Sequence, residues 1–442
     1  MIHLHKTVYL HNPNPANMKI SQISNKLIKP LSPTPPSLNK YSISFLDQCM
    51  EPMNFAVVMF YQSKPENSII QLEQSLAKIL VQFYPLAGRY IKNDHIVDCS
   101  DQGVEFVEAE ALDVELLDLI VNIETEQLNA LLPHQYFRVD EAAPLLSIQA
   151  SHFPGGGQAI AISVRHTVFD MCSLSTFIAA WSSATNPVRT TEIITPSFDL
   201  PKLIPYKDHD FGITTDNFSC HDQDLVVKRL FFDKAALMRL RSKLNPNHGG
   251  KTISRVRAVC AFIAKTLIRL NRGNAGEFVV VQSINMRERM IPPPPKHACG
   301  NLAIITNGRI DASEGKEIGL QELADLLGES VWKSIADCAG ILSPNHDGRD
   351  IIINTYTNFF QELGNPDSKS IVFTDWSKFG FYQVDFGFGK PVWTAVGPQR
   401  PIITTAILMN NREGDGIEAW LHLNKNDMLI FEQDEEIKLF TT

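Results

Sequence analysis

A histidine and an aspartate stand four residues apart where a strongly apolar stretch ends. Residues 158–170 read QAIAISVRHTVFD, so His166 follows the apolar run and Asp170 comes four positions later. Neutral imidazole can act as a general base at pH 7, because its ordinary pKa is about 6.5. The ends of buried strands in α/β sheets are also where ligand clefts form. His166 is therefore the candidate catalytic base, whereas Asp170 also occupies the position of a helix N-cap.

A second histidine has an aspartate at the same spacing. His346 and Asp350 lie in SPNHDGRD, which has no apolar neighbours and is typical of a solvated turn. The spacing alone thus identifies nothing, and the buried strand before His166 is what favours a catalytic role.

The elements that position His166 are predicted from apolar periodicity and turn residues. Residues 145–152 and 158–165 read as two strands joined by the turn FPGGG. Helices are predicted at residues 68–83, directly after Asp170, at 254–271 and at 320–339, with further strands near Val372, Tyr382 and Ile402. This alternation of strands and helices predicts an α/β protein with two layered units.

The chain length and one long connector indicate two domains. A chain of 442 residues exceeds one ordinary core, and the polar, proline-rich stretch after residue 187 is longer than a compact domain normally contains. We predict an N-terminal extension at residues 1–17, a first domain at 18–190, a crossover linker at 191–224 and a second domain at 225–442.

Composition excludes several classes of protein. A net charge of −9 argues against nucleic-acid binding, which needs a basic face. No apolar run reaches the ~18 residues of a membrane span, and the N-terminus lacks the order of a signal peptide, so we expect a cytoplasmic protein. Seven scattered cysteines without a C-x-x-C pair predict neither a disulfide framework nor a zinc site, and the cluster at residues 220–224 is interpreted as a loop.

Several further segments occur in a characteristic order. They are HTVFD at 166–170, NMRERMIPPPP at 285–295, Gly300-Asn301, Thr374-Asp375-Trp376, and DFGFG at 385–389. Together they resemble the plant BAHD acyl-CoA acyltransferases from residue 18 to the C-terminus. The stretch SKFGFYQVDFGFGKPVW is most similar to the branch of alkaloid and related specialised-metabolite O-acetyltransferases.

This resemblance implies a fold and a type of site. The expected architecture is two chloramphenicol-acetyltransferase-like domains, each a mixed sheet with helices, and an active-site channel at their interface. His166 would then be reached by acyl-CoA from one face and by the acceptor alcohol from the other. The resemblance also implies a monomer without a metal or a permanently bound cofactor.

The resemblance also implies roles for other residues. Asp170 would pair with Arg287 or Arg289 and hold the histidine in place, while Asp385, Gly387 and Gly389 would be structural. The indole N–H of Trp376 would face the tetrahedral oxyanion, although a core tryptophan that only packs is an equal alternative. Thr374 would place a hydroxyl nearby.

The phosphates of CoA require local cations on this acidic protein. Lys251, Ser254, Arg255 and Arg257 surround a predicted helix start, where the helix dipole favours anions. An ordinary exposed, capped helix start is the competing interpretation. Asn301 is a further candidate contact to the co-substrate.

These residues predict acetyl transfer from acetyl-CoA to a hydroxyl of a plant specialised metabolite, with an alkaloid favoured. HACGNL stands where malonyl-using relatives carry tyrosine-phenylalanine-glycine-asparagine-cysteine, which weighs against a malonyl donor. A noncatalytic binding or regulatory protein of the same fold and an N-acyltransferase acting on an amine are the alternatives. Four positions depart from the usual family pattern: Met171 for glycine, Phe388 for tryptophan, Asp375 for serine, and Ala264 for the tryptophan before Lys265.

Overall fold

The computed structural model describes residues 18–50, 53–122, 125–133, 142–186, 193–209, 225–245, 252–271, 276–311, 317–343, 348–363, 365, 368–397 and 404–441. The expected N-terminal extension and much of the expected linker lie outside these ranges, as do His346 and the cluster at residues 220–224. In the described part of the chain, no helix is long and apolar enough to cross a membrane.

The strands are β1 (Ile20–Ile28), β2 (Lys40–Ser42), β3 (Asn54–Tyr61), β4 (Arg89–Ile91), β5 (Ile96–Asp98), β6 (Val104–Ala111), β7 (Leu146–His152), β8 (Gln158–Arg165), β9 (Leu225–Phe232), β10 (Glu277–Asn285), β11 (Ala303–Ile305), β12 (Gly308–Asp311), β13 (Ser368–Asp375), β14 (Trp393–Val396), β15 (Thr405–Asn410) and β16 (Ile417–Asn424). The helices are α1 (Phe45–Gln48), α2 (Ser68–Leu80), α3 (Leu116–Asn122), α4 (Met171–Thr185), α5 (Leu200–Leu203), α6 (Lys234–Ser242), α7 (Arg255–Leu270), α8 (Leu320–Cys338), α9 (Gly348–Leu363), α10 (Lys425–Gln433) and α11 (Glu435–Phe440).

The first sheet has the order β1-β6-β7-β8-β3-β14. Strand β8 lies inside it, antiparallel to both β7 and β3, and every residue of β3 and β8 is buried. Because both faces of these strands are covered, their sequences are almost continuously apolar rather than alternating. The chain therefore leaves the sheet at Arg165, and His166 follows at the end of a buried strand, as predicted.

The second sheet has the order β11-β10-β13-β15-β16-β9, and β12 also pairs with β10. Strand β13 is parallel to both of its neighbours, β10 and β15. On β16, Ile417, Ala419 and Leu421 belong to the core that contains α7, whereas Trp420 belongs to the core of the first sheet. On β16, one face thus packs on helices of its own half and the other faces the first half of the molecule.

Most predicted elements are confirmed, and two are wrong. Strand β8, the helix after Asp170 and helix α7 occur where expected. Tyr382 lies in a short 3-10 turn at Phe381–Gln383 rather than in a strand. Asp350 lies in the first turn of α9 rather than in a solvated turn, because Ile352, Ile353, Tyr356 and Phe359 bury one face of that helix.

Strand β14 connects the two halves. It follows the 385–389 motif in the chain, yet it pairs antiparallel with β3 at the edge of the first sheet. The second half of the chain therefore completes the sheet that positions His166. The domain bounds at residues 190 and 225 stay a prediction. That prediction did not include the pairing of β14, from the second half of the chain, with the first sheet.

Candidate active site

The backbone of His166 is fixed from two sides. Its N–H donates to the carbonyl of Met53 at 2.8 Å, and its carbonyl accepts from Nδ2 of Asn301 at 2.8 Å. The edge of the Phe55 ring meets the imidazole with a centroid distance of 4.9 Å. Burial lowers the pKa of His166 below its ordinary value, so the ring is neutral at pH 7, as a general base requires.

His166 borders a cavity of about 210 Å³ between the two halves. Phe55 and Met171 line it from the first half of the chain, whereas strands β10, β11, β13 and β15 and helix α9 line it from the second. Met171, one of the departures from the family pattern, is buried in the first turn of α4 and faces this space. The single histidine at the wall is thus accessible to molecules in an interface cavity.

Trp376 and Thr374 line the same cavity. Trp376 is buried, its ring lies 6.1 Å from that of Phe55, and its indole N–H has no hydrogen-bond partner among the described residues. Thr374 is half-buried in β13 and pairs with Ile407, another lining residue. The predicted catalytic trio is therefore brought together around one space, and the free indole N–H is available to a substrate oxygen.

Asp170 forms a buried ion pair with Arg287. Nη1 and Nη2 of Arg287 donate to the two carboxylate oxygens at 2.7 and 3.0 Å, and the backbone N–H groups of Ser173 and Leu302 donate at 2.8 and 3.0 Å. Burial would raise the pKa of Asp170, but the charge and hydrogen bonds of Arg287 lower it below the usual value. We call residues 166–170 the histidine turn.

The sequence left Arg287 and Arg289 as alternative partners of Asp170, and the geometry separates them. Arg289 is exposed, and its Nη1 donates to the backbone carbonyl of Asn285. Arg287 also donates to the carbonyls of Ala298 and Gly300 and to Ser173 Oγ. Of the two arginines, only Arg287 binds the histidine turn, so the Arg289 alternative is wrong.

We call residues 385–389 the glycine turn. Oδ1 of Asp385 accepts from the backbone N–H groups of Gly387 and Gly389 at 2.8 and 3.0 Å. Both glycines have positive φ, 102° and 95°, which disfavours any residue with a Cβ. Phe388 is buried edge-on against Tyr61 at 4.9 Å. None of these described residues lines the cavity, which agrees with a structural role.

The candidate CoA contacts are dispersed. Ser254 caps α7 and is exposed, and Nη1 of Arg255 donates to the carbonyl of Gly414 at 2.7 Å. Arg257 packs against α8, where a Cβ at Gly328 would lie 2.5 Å from its guanidinium. Lys251 lies outside the described residues. The expectation for Asn301 is not supported, because its side chain is fully buried and its amide hydrogens bind Asp47 and His166.

Sequence reasoning missed two residues of the site. Phe55 lies on β3 and contacts both His166 and Trp376, but it is one apolar residue in a uniformly apolar strand. Asp47 is fully buried beside Asn301, and only its capping box with Ser44 is visible in the sequence. In the described part of the chain, no group of three or more histidine, cysteine, aspartate or glutamate side chains could hold a metal.

Known proteins are similar to this chain in sequence. The family model described as "Transferase family" matches residues 18–438. A pelargonidin 3-O-(6-caffeoylglucoside) 5-O-(6-O-malonylglucoside) 4'''-malonyltransferase of Salvia splendens is 51% identical, over 96% of this chain and 100% of that protein. Vinorine synthase of Rauvolfia serpentina is 36% identical, over 93% of this chain and 95% of that protein.

The chain belongs to the BAHD acyltransferase family. It is therefore an acyl-CoA-dependent enzyme that transfers an acyl group to an alcohol. The crystal structure of vinorine synthase superimposes with a TM-score of 0.79 at 32% identity, covering 96% of this chain and 98% of the other. This similarity confirms the predicted fold of two BAHD domains with mixed sheets and helices.

The finer prediction of acetyl transfer to an alkaloid is not decided by these relatives. The protein at 51% identity is named a malonyltransferase of a glycosylated pigment, whereas stemmadenine O-acetyltransferase of Catharanthus roseus, at 33%, is named for acetyl transfer. BAHD membership fixes the class of reaction but neither the acyl donor nor the acceptor.

Proposed function

We propose that this BAHD enzyme transfers an acetyl group from acetyl-CoA to a hydroxyl of an apolar plant specialised metabolite, with an alkaloid as the first candidate and His166 as the general base. The observation that carries the proposal is a neutral histidine at the wall of a cavity lined by both halves of the chain. A cytoplasmic, monomeric enzyme is part of the same proposal.

The chemistry needs one ternary complex and no acyl-enzyme. His166 accepts the proton of the acceptor hydroxyl while the hydroxyl oxygen attacks the thioester carbonyl. The N–H of Trp376 stabilises the resulting oxyanion, and Thr374 offers a hydroxyl nearby. When the intermediate collapses, the C–S bond breaks and the imidazolium returns its proton to the CoA thiolate.

The cavity lining supports an acetyl donor. A malonyl group carries a free carboxylate, whose burial requires a cation. No lysine or arginine lines this cavity among the described residues, and Asp375 is one of the lining residues. A neutral acetyl group meets no such cost.

Aromatic side chains support an apolar acceptor. Tyr356, Phe359 and Phe360 of α9 line the cavity opposite the first half, together with Phe55 and Phe379. Such rings pack well against flat, apolar ring systems, which include many alkaloids and terpenoids.

Malonyl transfer to a sugar hydroxyl of a glycosylated pigment is the second candidate. It rests on the malonyltransferase relative at 51% identity. Its donor carboxylate would then bind a cation beyond the lining of this cavity. For either donor, the candidate contacts for the CoA phosphates remain Lys251, Ser254, Arg255 and Arg257.

The decisive experiment offers purified enzyme equal concentrations of acetyl-CoA and malonyl-CoA with a panel of alkaloid alcohols, terpenoid alcohols, anthocyanin glucosides and amines, and identifies products by mass spectrometry. The proposal predicts acetylated alcohols from apolar acceptors. Malonylated glucosides would favour the second candidate, and an acylated amine as the main product would indicate N-acylation.

A further inference from the structure

Five sulfur-containing residues border the cavity around His166. All five come from the first half of the chain, in two short segments that we call the sulfur wall: Cys49, Met50, Met53, Met171 and Cys172. The second half lines the same cavity with the rings of α9, Trp376 and Phe379. The space before His166 is thus bounded by flexible thioether chains from one half and by rigid rings from the other.

The sulfur wall adjoins His166 along the backbone. The carbonyl of Met53 accepts from the N–H of His166 at 2.8 Å. Met171 and Cys172 follow the histidine turn directly, because Asp170 is the N-cap of α4 and the helix begins at Met171. A change of side chain in either segment therefore alters the space beside the imidazole.

Met171 contributes to this space without disturbing the turn before it. Its side chain is buried, and its φ is negative, as in any first helical turn. The N-cap bond from the N–H of Ser173 to Asp170 is 2.8 Å long, and both terminal nitrogens of Arg287 donate to the same carboxylate. Met171 therefore affects the shape of the cavity rather than the position of His166.

The cavity is small enough for a single side chain of its wall to matter. A cavity of about 150 Å³ in a protein interior holds one benzene molecule, and this one measures about 210 Å³. It has room for the acetyl group and little more than one ring of the acceptor. A substituent on the carbon that carries the hydroxyl needs additional space at the wall beside His166, to which Met171 belongs.

The reaction also requires a close approach. The hydroxyl oxygen must come within about 3–3.5 Å of the thioester carbon while it stays within hydrogen-bond reach of His166. Groups on the carbinol carbon are then held next to the wall, one bond away from the reacting oxygen. A substituent that the wall excludes lowers kcat/KM for that acceptor, even when the rest of the molecule binds well.

We propose that Met171 is a specificity-determining residue that selects primary alcohols, in which a CH₂ group on a flat ring carries the hydroxyl, over alcohols with a substituted carbinol carbon. Its unbranched, polarizable chain packs against the acceptor ring and fills the space that a second substituent would need. This inference rests on the proposed function, because it applies only to an acceptor whose hydroxyl reacts at His166.

The test compares acceptors that differ in one group. Wild-type and Met171→Ala enzymes are offered benzyl alcohol, 1-phenylethanol and diphenylmethanol with acetyl-CoA. One additional carbon in an apolar pocket changes kcat/KM by about 10–200-fold, so wild type should prefer benzyl alcohol to 1-phenylethanol by at least about 10-fold. Met171→Ala should reduce this preference about 10-fold and leave the KM for acetyl-CoA within about twofold.

Inhibition extends the comparison to alcohols that react poorly. The three alcohols compete with the acceptor found in the panel described above, and their inhibition constants should follow the same order in wild type. Met171→Ala should bring these constants closer together, because the space beside His166 is then larger.

Matched variants separate volume from stability. Met171→Leu has nearly the same volume and should keep the preference for benzyl alcohol. Met428→Ala truncates a methionine of α10 that is equally buried and does not line the cavity, and it should leave the preference unchanged. If Met171→Ala does not fold, Met171→Val serves in its place and should reduce the preference by a smaller factor.

Three results would overturn the inference. They are equal kcat/KM for benzyl alcohol and 1-phenylethanol in wild type, an unchanged preference in folded Met171→Ala enzyme, and a Met171→Ala enzyme that gains larger acyl donors while its acceptor preference stays the same. Because the preference is a ratio measured with one donor, it can also be read with malonyl-CoA. Exclusive use of malonyl-CoA would contradict the proposed function and leave the ratio as a separate result.

Discussion

The histidine turn and the glycine turn are both built around one aspartate, but they are held by different contacts. Asp170 binds Arg287 and Leu302, which lie 117 and 132 positions away, and it is almost fully buried. Asp385 binds N–H groups two and four positions away at a more exposed site. Asp170 thus joins distant segments, whereas Asp385 binds the backbone of its own turn, which also accepts a hydrogen bond from Ser63 at the Phe388 carbonyl.

Because the two turns are held differently, we expect changes in the histidine turn to affect both activity and stability, and changes in the glycine turn to affect stability alone. Contacts that fix the histidine turn determine where the imidazole meets the cavity, so their loss should affect catalysis as well as folding. The glycine turn contributes aromatic packing, with Phe386 against Trp181 at 4.7 Å and Phe388 against Tyr61, outside the cavity. Its loss should reduce stability and leave each folded molecule active.

Breaking the buried ion pair should have the largest effect on the free energy of unfolding. Arg287→Met leaves the Asp170 carboxylate buried without its charged partner, which costs about 3–5 kcal/mol. Denaturant unfolding measures this loss, and kcat of the folded fraction should also fall. Arg289→Met, an exposed control two positions away, should change neither; an equal loss in both variants would remove the distinction between the arginines.

Asp385→Ala should have a smaller effect of a different kind. It removes the acceptor of two backbone N–H groups at a half-exposed site, for which we expect a loss of about 1–2 kcal/mol. The kcat per folded molecule should stay within about twofold of wild type. A drop in kcat as large as that of Arg287→Met would show that the glycine turn also acts on the site.

The pH dependence of activity should distinguish the base from its support. Burial lowers the pKa of His166, so the acid limb of kcat/KM should have its midpoint below about 6.5. The pKa of Asp170 is also lower in the folded protein than in the unfolded chain, where it is about 3.9. The ionised carboxylate therefore stabilises the fold fully above pH 3.9, and this contribution is lost only as the pH falls through the pKa of the folded state. Between pH 4 and 6 activity should thus fall, whereas the contribution of the ion pair, measured as the difference in unfolding free energy between wild type and Arg287→Met, should stay constant. A fall of that difference in parallel with activity would merge the two roles.

Phe388→Trp restores the common family residue and should have the smallest effect. Phe388 is 8% exposed, and its carbonyl accepts from Ser63 Oγ at 2.9 Å through the backbone, which the substitution preserves. We expect a stability change below about 1 kcal/mol and unchanged kcat, measured by thermal unfolding and steady-state kinetics. A large gain in kcat would connect this position to the cavity.

Local patterns in the sequence predicted the strands and helices around the site, but they could not predict contacts between residues that are distant in the chain. Strand β8 and helix α4 follow from an apolar run and an N-cap, both of which depend on neighbours in sequence. Helix α9 was missed because Ile351 to Ile353 and two threonines have weak helix propensity, which packing of its buried face overrides. The pairing of Asp170 with an arginine came from the family resemblance, and the choice of Arg287 required the structure.

Asn301 illustrates the same limit. Its neighbours in sequence do not reveal that Asp47, 254 positions earlier, and the His166 carbonyl bind its amide. A polar residue in a loop was therefore interpreted as a ligand contact, although it is fully buried. Contacts of this range have no periodicity that a sequence pattern could show.

The turnover of His166→Ala tests the central claim most directly. With the donor and acceptor found in the panel, single-turnover transfer is compared in wild-type and variant enzymes whose unfolding transitions coincide. Since a general base contributes about 10²–10⁴-fold, the variant should be at least two orders of magnitude slower. Transfer at near wild-type rate by a folded His166→Ala enzyme would contradict the account.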